Sequence, residues 1–339
     1  MAERVLTQRE LNRATLARQL LLKRAKLPVV QAVERVAGLQ AQLGSTPYIG
    51  LWTRLEDFRP EALDRALLAG KVSRGLLMRG TVHLVSTRDF ALFATALEVT
   101  APAWVTPEVE EIAHRVAPSL RAFTAEPRTR AEIFDWLERE HGIVSDGTNR
   151  LWYAMRIRGR IGHSAAASLW RAPVHGPTFI AVEQGDHDGA LARAELVRHY
   201  LAAFGPATRA EIAGWSGLKV RDFADGLDGL VAFRDDRGRE LLDLPRAPRP
   251  GADTPAPVRL LPKFDNVLLD RQRVLPEAYR KLVVRKNADV QPPFPVDGYV
   301  AGVWRMERGR VVTEPFARLP REARRELDDE AKRLEAWLG

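Results

Sequence analysis

Apolar residues recur at helical spacing through the first third of the chain. Leu11, Leu16, Leu20 and Leu21 form one stripe behind Thr7, and Glu10, three residues after Thr7, completes a capping box. A first helix is therefore predicted from Thr7 to about Lys23. Pro28 opens a second run in which Val29, Val30, Val33, Val36, Ala37 and Leu39 share roughly one face, and which ends on Gly38-Leu39-Gln40-Ala41-Gln42-Leu43. On an ideal helix Gln40 and Gln42 stand about 200° apart, so both face one cavity only if the helix has ended or bent. Gly44, Ser45 and Pro47 supply that ending. From residue types alone the amides either cap backbone groups at a helix terminus or serve a site. Residues 46–55 read as a short helix with Trp52 inward, and Pro60 starts a helix over 61–68 that Gly70 stops. Two apolar runs, 72–78 and 81–85, join through Arg79-Gly80 and predict a two-stranded ribbon with Arg79 at its tip and His83 on its second strand. Ser86 or Thr87 then caps a helix to about Leu97.

The middle of the chain repeats. Thr129-Arg130-Ala131-Glu132-Ile133 returns as Thr208-Arg209-Ala210-Glu211-Ile212 and Trp136 as Trp215, every pair 79 residues apart. Each copy follows a proline (Pro127, Pro206) and precedes a second helix, 149–158 or 220–227, and a strand-turn-strand pattern. In the first copy that pattern is 168–171, Pro173-Val174-His175-Gly176 and 178–182; in the second it is 230–234, Asp235-Asp236-Arg237-Gly238 and 240–244. Helix, turn, helix, ribbon is the element order of a winged helix, and the N-terminal helices and ribbon make a third. Residues 245–257, rich in Pro, Arg and Ala, read as a linker. Strands at 258–261, 283–285, 296–305 and 310–316, the last two joined by a hairpin at Gly309, predict a small antiparallel sheet. A helix over 321–338 docks through Leu327, Leu334 and Leu338. The expected fold is α+β, with winged-helix units at 1–115, 116–188 and 189–250 and a β-rich unit at 251–339.

Composition narrows the function classes. With 339 residues, 45% hydrophobic and 28% charged, the chain has the balance of a soluble globular protein. No apolar run approaches the ~20 residues that span a bilayer, and Met1-Ala2-Glu3-Arg4 lacks the order of a signal peptide, so a cytoplasmic protein with no membrane partner is expected. Zero cysteines exclude disulfides, thiolate zinc sites and a cysteine nucleophile. The seven histidines (83, 114, 141, 163, 175, 187, 199) show no ligand spacing and glycine-rich phosphate loops are absent, so neither a metal nor another cofactor is expected. A net charge of +8 and a pI near 10 suit a polyanionic partner.

The basic residues give that partner a place. Arg150, Arg156, Arg158, Arg160 and His163 lie in and just after the second helix of the first repeat, where a recognition helix meets DNA; the other reading is a solvated basic face. In the second repeat Lys219, Arg221, Asp222, Asp225 and Asp228 are mixed in sign, so that copy reads as scaffold. Arg79 and His83 either reach a groove from the ribbon or, for His83, find a neighbour within the strand pair. Asp265-Asn266 is either a self-capped turn or a neighbour of the site.

Gly38-Leu39-Gln40-Ala41-Gln42, Met78-Arg79-Gly80-Thr81-Val82-His83-Leu84-Val85, Leu261-Pro262-Lys263-Phe264-Asp265-Asn266-Val267-Leu268-Leu269 and Val296-Asp297-Gly298-Tyr299-Val300-Ala301-Gly302-Val303-Trp304-Arg305 occur in that order. In this the chain resembles the AlkZ-like family of bacterial DNA glycosylases, from about Thr7 to Phe316. The resemblance implies three tandem winged helices and a β domain around a concave DNA-binding channel. It also implies a catalytic Gln-apolar-Gln motif in that channel, here Gln40, Ala41 and Gln42. Ala41 is smaller than the aliphatic residue common at that position, which leaves lesion size open. The expected activity is monofunctional hydrolysis of the N-glycosidic bond of N7-alkylguanine-type cationic lesions, with bulky adducts and interstrand crosslinks within its scope, in base excision repair. The expected partner is double-stranded DNA carrying an alkylated purine, bound by a monomer that is nucleoid-associated while bound. Such a base leaves readily, so an amide that places a water and stabilises the sugar suffices. A lyase would need a lysine of depressed pKa, for which Lys263 is the nearest candidate and a surface lysine the stronger reading. The alternative function is a non-catalytic winged-helix DNA-binding or regulatory protein.

Overall fold

The computed structural model describes residues 4–144, 147–172, 176–269, 273–286 and 289–339. The turn expected at Pro173-Val174-His175 lies outside them. Thr7 caps helix Gln8–Arg18 with the full capping box. That helix ends before Lys23 because Leu20 turns left-handed at φ 57°. It runs through the interior rather than over it: Arg13 and Arg18 are 0% exposed, and Asn12 donates to the carbonyls of Arg273 and Gly298 at 2.7 and 2.8 Å. Pro28 precedes helix Val29–Arg35, which gives way to a two-residue strand, Leu39–Gln40. Helices Thr46–Arg54 and Pro60–Leu68 follow, then the expected ribbon, Val72–Leu76 and Val82–Ser86, turning at Met78–Gly80 with Arg79 at φ 57°. Ser86 caps helix Thr87–Ala96 by accepting from the Asp89 N–H.

The repeat is visible as two helices with identical starts. Thr129 and Thr208 both close capping boxes, with Glu132 and Glu211, on helices Arg130–His141 and Arg209–Ser216. Beyond them the copies diverge. The first continues with helix Arg150–Arg158 and a ribbon of Ile161–His163 and Thr178–Ala181. The strand expected at 168–171 is instead a 3-10 turn, Ala166–Ser168, and the chain after it. The strand that pairs with Thr178–Ala181 begins two residues after Gly159, at Ile161, and its three residues are too short a run to announce themselves. In the second copy the expected helix over 220–227 is broken into 3-10 turns Val220–Asp222 and Ala224–Gly226, the first pinned by Asp222 accepting from the Lys219 N–H at 2.8 Å. Its ribbon, Val231–Asp235 with Glu240–Asp243, forms as expected and takes Val5–Leu6 as a parallel third strand.

The first two ribbons merge. Leu39–Gln40 forms one edge of a six-stranded sheet in which Val72–Leu76 pairs with Ile161–His163 through Arg74–His163 and Gly75–Gly162. Side chains have no room at that crossing: a Cβ on Gly75 would stand 2.7 Å from the Phe90 ring, and one on Gly162 would stand 2.9 Å from the Arg74 carbonyl oxygen. The C-terminal unit contributes an antiparallel sheet of Pro293–Val296, Tyr299–Glu307 and Arg310–Pro315. Of the other strands expected there, 258–261 is largely buried but forms no strand, and it meets the sheet at Leu261, whose N–H donates to the Pro293 carbonyl at 3.0 Å and whose carbonyl accepts from Trp304 Nε1 at 2.8 Å. Residues 283–285 are the end of helix Arg280–Val283 and an isolated bridge from Val284 to Val290. One core joins Val33, Leu51 and Leu63 to Leu260, Phe294 and Trp304, and to Leu327 and Leu334 of the terminal helix Arg321–Leu338. Residues distant in sequence thus meet around the segment that carries the two glutamines.

Candidate active site

Helix Val29–Arg35 stops because Ala37 and Gly38 turn left-handed, at φ 56° and 84°. A Cβ at Gly38 would stand 2.5 Å from Val85 Cγ1, so this turn requires glycine. Leu39 and Gln40 then pair antiparallel with Leu84 and His83, and the Ala41 N–H donates to the Val82 carbonyl at 2.7 Å. Leu39 and Ala41 enter the core at 3% and 0% exposure, whereas Gln40 is half-buried and Gln42 exposed. The expected helix end is replaced by a strand edge at Leu39–Gln40, and Gln42 follows two residues later in the bend that leads to helix Thr46–Arg54. Ala41 is buried, so its size bears on the packing beneath the motif. Among the described residues neither carboxamide has a hydrogen-bond partner.

The motif's backbone is held instead. Arg74 donates to the carbonyls of Ala41, Gln42 and Ala167 at 3.0, 3.4 and 3.3 Å, and the Thr46 hydroxyl donates to the Gln40 carbonyl at 3.2 Å. Burial lowers the Arg74 guanidinium to about 10. The sequence held one signal for Arg74, a charge at the same parity as Val72 and Leu76 in an otherwise apolar run. Of the two neighbours proposed from the sequence, Asn266 (1% exposed) touches the motif: its Oδ1 accepts from the Gln40 N–H at 3.1 Å and its Nδ2 donates to the Gly38 carbonyl at 2.5 Å. Asp265 does not. Its two oxygens accept from Arg54 at 2.8 Å each, both side chains 1% exposed, so its charge is spent inside the protein. Lys263 pairs with Asp289 at 3.0 Å.

The expected DNA-contacting set needs correction. His83 is 1% exposed: it is the cross-strand neighbour of Gln40, its Nδ1 lies 2.9 Å from the Thr81 carbonyl, and its Nε2 is buried without a partner. Arg79 reaches inward to the Trp215 carbonyl, because the ribbon's tip rests on helix Arg209–Ser216. Arg156, at 5%, lies over the Trp152 and Phe179 rings. Arg158 is bound by Glu110 and the carbonyls of Glu98 and Thr100, and Arg160, at 8%, by Glu98 and Thr95. Arg150 is the exposed member of the set, at the start of helix Arg150–Arg158. A guanidinium on a helix adjoining a ribbon looks basic in sequence whether it meets phosphate or a carbonyl of its own fold.

Burial, aided by the charge of Arg79 and opposed by the bond to Thr81, holds the His83 imidazole at about 3, while burial with Arg74 and Arg156 takes His163 to about 2. His83 is therefore neutral through the physiological range. Its folded value lies below its ordinary one, so its contribution to stability is full above about pH 6.5 and is lost as pH falls toward 3, by up to about 1.4 kcal/mol per pH unit. Urea unfolding of the wild type and of His83→Gln from pH 7 to 4 should show the wild type losing stability faster; parallel losses would mean that the ring takes up a proton in the folded state.

Among the described residues no helix is long and apolar enough to cross a membrane. A family model described as DNA glycosylase AlkZ-like matches residues 33–337. A protein of Streptomyces sahachiroi named interstrand DNA cross-link repair glycosylase is 27% identical over 335 residues, covering 88% of each chain. The solved structure of the Streptomyces sahachiroi DNA glycosylase AlkZ matches with a TM-score of 0.79 at 24% identity, over 98% of this chain and 97% of that one.

Proposed function

The chain belongs to the AlkZ-like family of DNA glycosylases, and on that premise we propose that it hydrolyses the N-glycosidic bond of N7-alkylguanine-type lesions, interstrand crosslinks included, with Gln40 and Gln42 acting at the sugar. The observation that carries this reading is two carboxamides two residues apart, without partners among the described residues, one on an edge strand and one just past it, on a backbone fixed by Arg74, Thr46 and Asn266. Alkylation at N7 makes guanine a cation, which departs without a strong general acid. What remains is to place a water against the anomeric carbon and to stabilise an oxocarbenium-like sugar. A carboxamide oxygen can accept from that water and lie against the developing positive charge, and its NH2 can donate to the DNA. An amide does not take the water's proton at neutral pH, which suits a leaving group already activated and disfavours an undamaged purine. Asp265, the acid nearest in sequence to the motif's contacts, is neutralised by Arg54. The protein acts as a monomer on double-stranded DNA, with Arg150 on the phosphate backbone.

The crosslink substrate rests on the name of the Streptomyces sahachiroi relative. The test is release of free base, read by mass spectrometry, from a duplex with one N7-methylguanine and from a duplex with a guanine N7 interstrand crosslink. Release from both supports the proposal. Release from the monoadduct alone confines it to small lesions, and release from neither leaves a DNA-binding protein without this chemistry.

A further inference from the structure

Strand Leu39–Gln40 is two residues long and lies at the edge of its sheet. Its inner side pairs with Val82–Ser86, which leaves the Gln40 N–H and the Gly38 carbonyl directed outward, where a further strand would bind. No strand is there. The carboxamide of Asn266 occupies the place, accepting from Gln40 and donating to Gly38. Only the amide side chains offer an acceptor and a donor in the geometry of a peptide group, and the two backbone partners fix which end is which.

The connection closes on itself. From Gln40 the chain passes through Gln42 into helix Thr46–Arg54, whose last residue holds Asp265 with both terminal guanidinium nitrogens. Asp265 also accepts from the Val267 N–H at 3.2 Å, which sets the turn, and Asn266 beside it returns to Gln40. Two stretches of backbone, one bidentate ion pair and one pair of amide hydrogen bonds therefore form a closed frame, with buried side chains at each crossing.

We propose that Asn266 is a positioning residue for Gln40, its carboxamide standing in for a missing strand and the Arg54–Asp265 pair holding it there. The proposal rests on the reading of Gln40 as a reacting group. A glutamine that must aim at one atom gains from a fixed Cα, and a two-residue edge strand fixes it poorly alone. The C-terminal unit is thereby part of the catalytic apparatus, although it is more than 200 residues away in sequence.

The experiment compares Asn266→Ala with wild type in single-turnover base release, in DNA affinity and in hydrogen exchange of the Gln40 amide. The expected result is a rate lower by about tenfold or more, a dissociation constant within about twofold, and faster exchange at Gln40. An unchanged rate in the folded variant overturns the proposal, as does an equal loss of rate and affinity. Should Asn266→Ala fail to fold, Asn266→Ser, which keeps one hydroxyl for the same partners, carries the comparison with the same criteria. Gln40→Ala is run alongside. Base release surviving there removes the catalytic reading, whereas release lost there and retained in the Asn266 variants removes only the positioning role.

Discussion

Gln40→Ala combined with Gln42→Ala is expected to lower base release from an N7-alkylguanine duplex by about a thousandfold or more, while DNA affinity changes by no more than a few-fold. The two effects separate because the side chains carry no charge, and affinity for a duplex comes mainly from cations on phosphate. Alanine also leaves the frame intact: the bonds from Arg74, Thr46 and Asn266 all end on backbone atoms of the motif. Single-turnover kinetics with the enzyme in excess over the lesion duplex measure the first quantity and titration of an unreactive duplex the second. Base release surviving in the folded double variant would remove both glutamines from the chemistry, and equal losses would make them contacts rather than reacting groups.

The second large effect is on stability. Asp243 is 0% exposed and accepts from Arg18 at 2.7 and 2.9 Å and from Arg249; Arg18, also fully buried, donates to the Leu201 and Pro248 carbonyls at 2.7 and 3.1 Å. Asp243→Ala leaves a guanidinium charge inside the protein without its counter-ion, which costs about 3–5 kcal/mol. Urea unfolding should show it as a fall in midpoint at unchanged slope. Because desolvating the pair offsets most of its attraction, Arg18→Met with Asp243→Leu should recover much of that loss. A fall below about 1 kcal/mol in Asp243→Ala would mean that water reaches Arg18.

These buried ions also explain why the sequence was legible unevenly. The first element's start was readable because capping is local: Thr7 with Glu10 is complete within four residues, and the same box at Thr129 and Thr208 showed in the sequence only as a repeat. The hairpin at Gly309 and the docking face of the last helix were readable for the same reason. The second helix of the third unit was not, since the apolar spacing over 220–227 does not distinguish one helix from two 3-10 turns. The glutamines were found as a motif but placed on the wrong element. Helical spacing continues smoothly to Leu39, and only the left-handed pair Ala37 and Gly38, selected by contact with Val85, ends it. The arginines of 156–160 were least legible of all. Their partners are carbonyls, rings, a hydroxyl and two glutamates from residues 95–110 and 152–179, and no spacing rule reports those.

The glycine crossing between the first two ribbons bears on how this protein could be cut or recombined. A fragment ending near residue 115 would keep Gln40 and Gln42 but expose the Val72–Leu76 strand along its whole open edge, an invitation to edge-to-edge aggregation. It would also lose the amide that flanks the motif from residue 266. The glutamine motif is therefore not a portable cassette: grafting it onto another scaffold would carry the residues and leave their support behind.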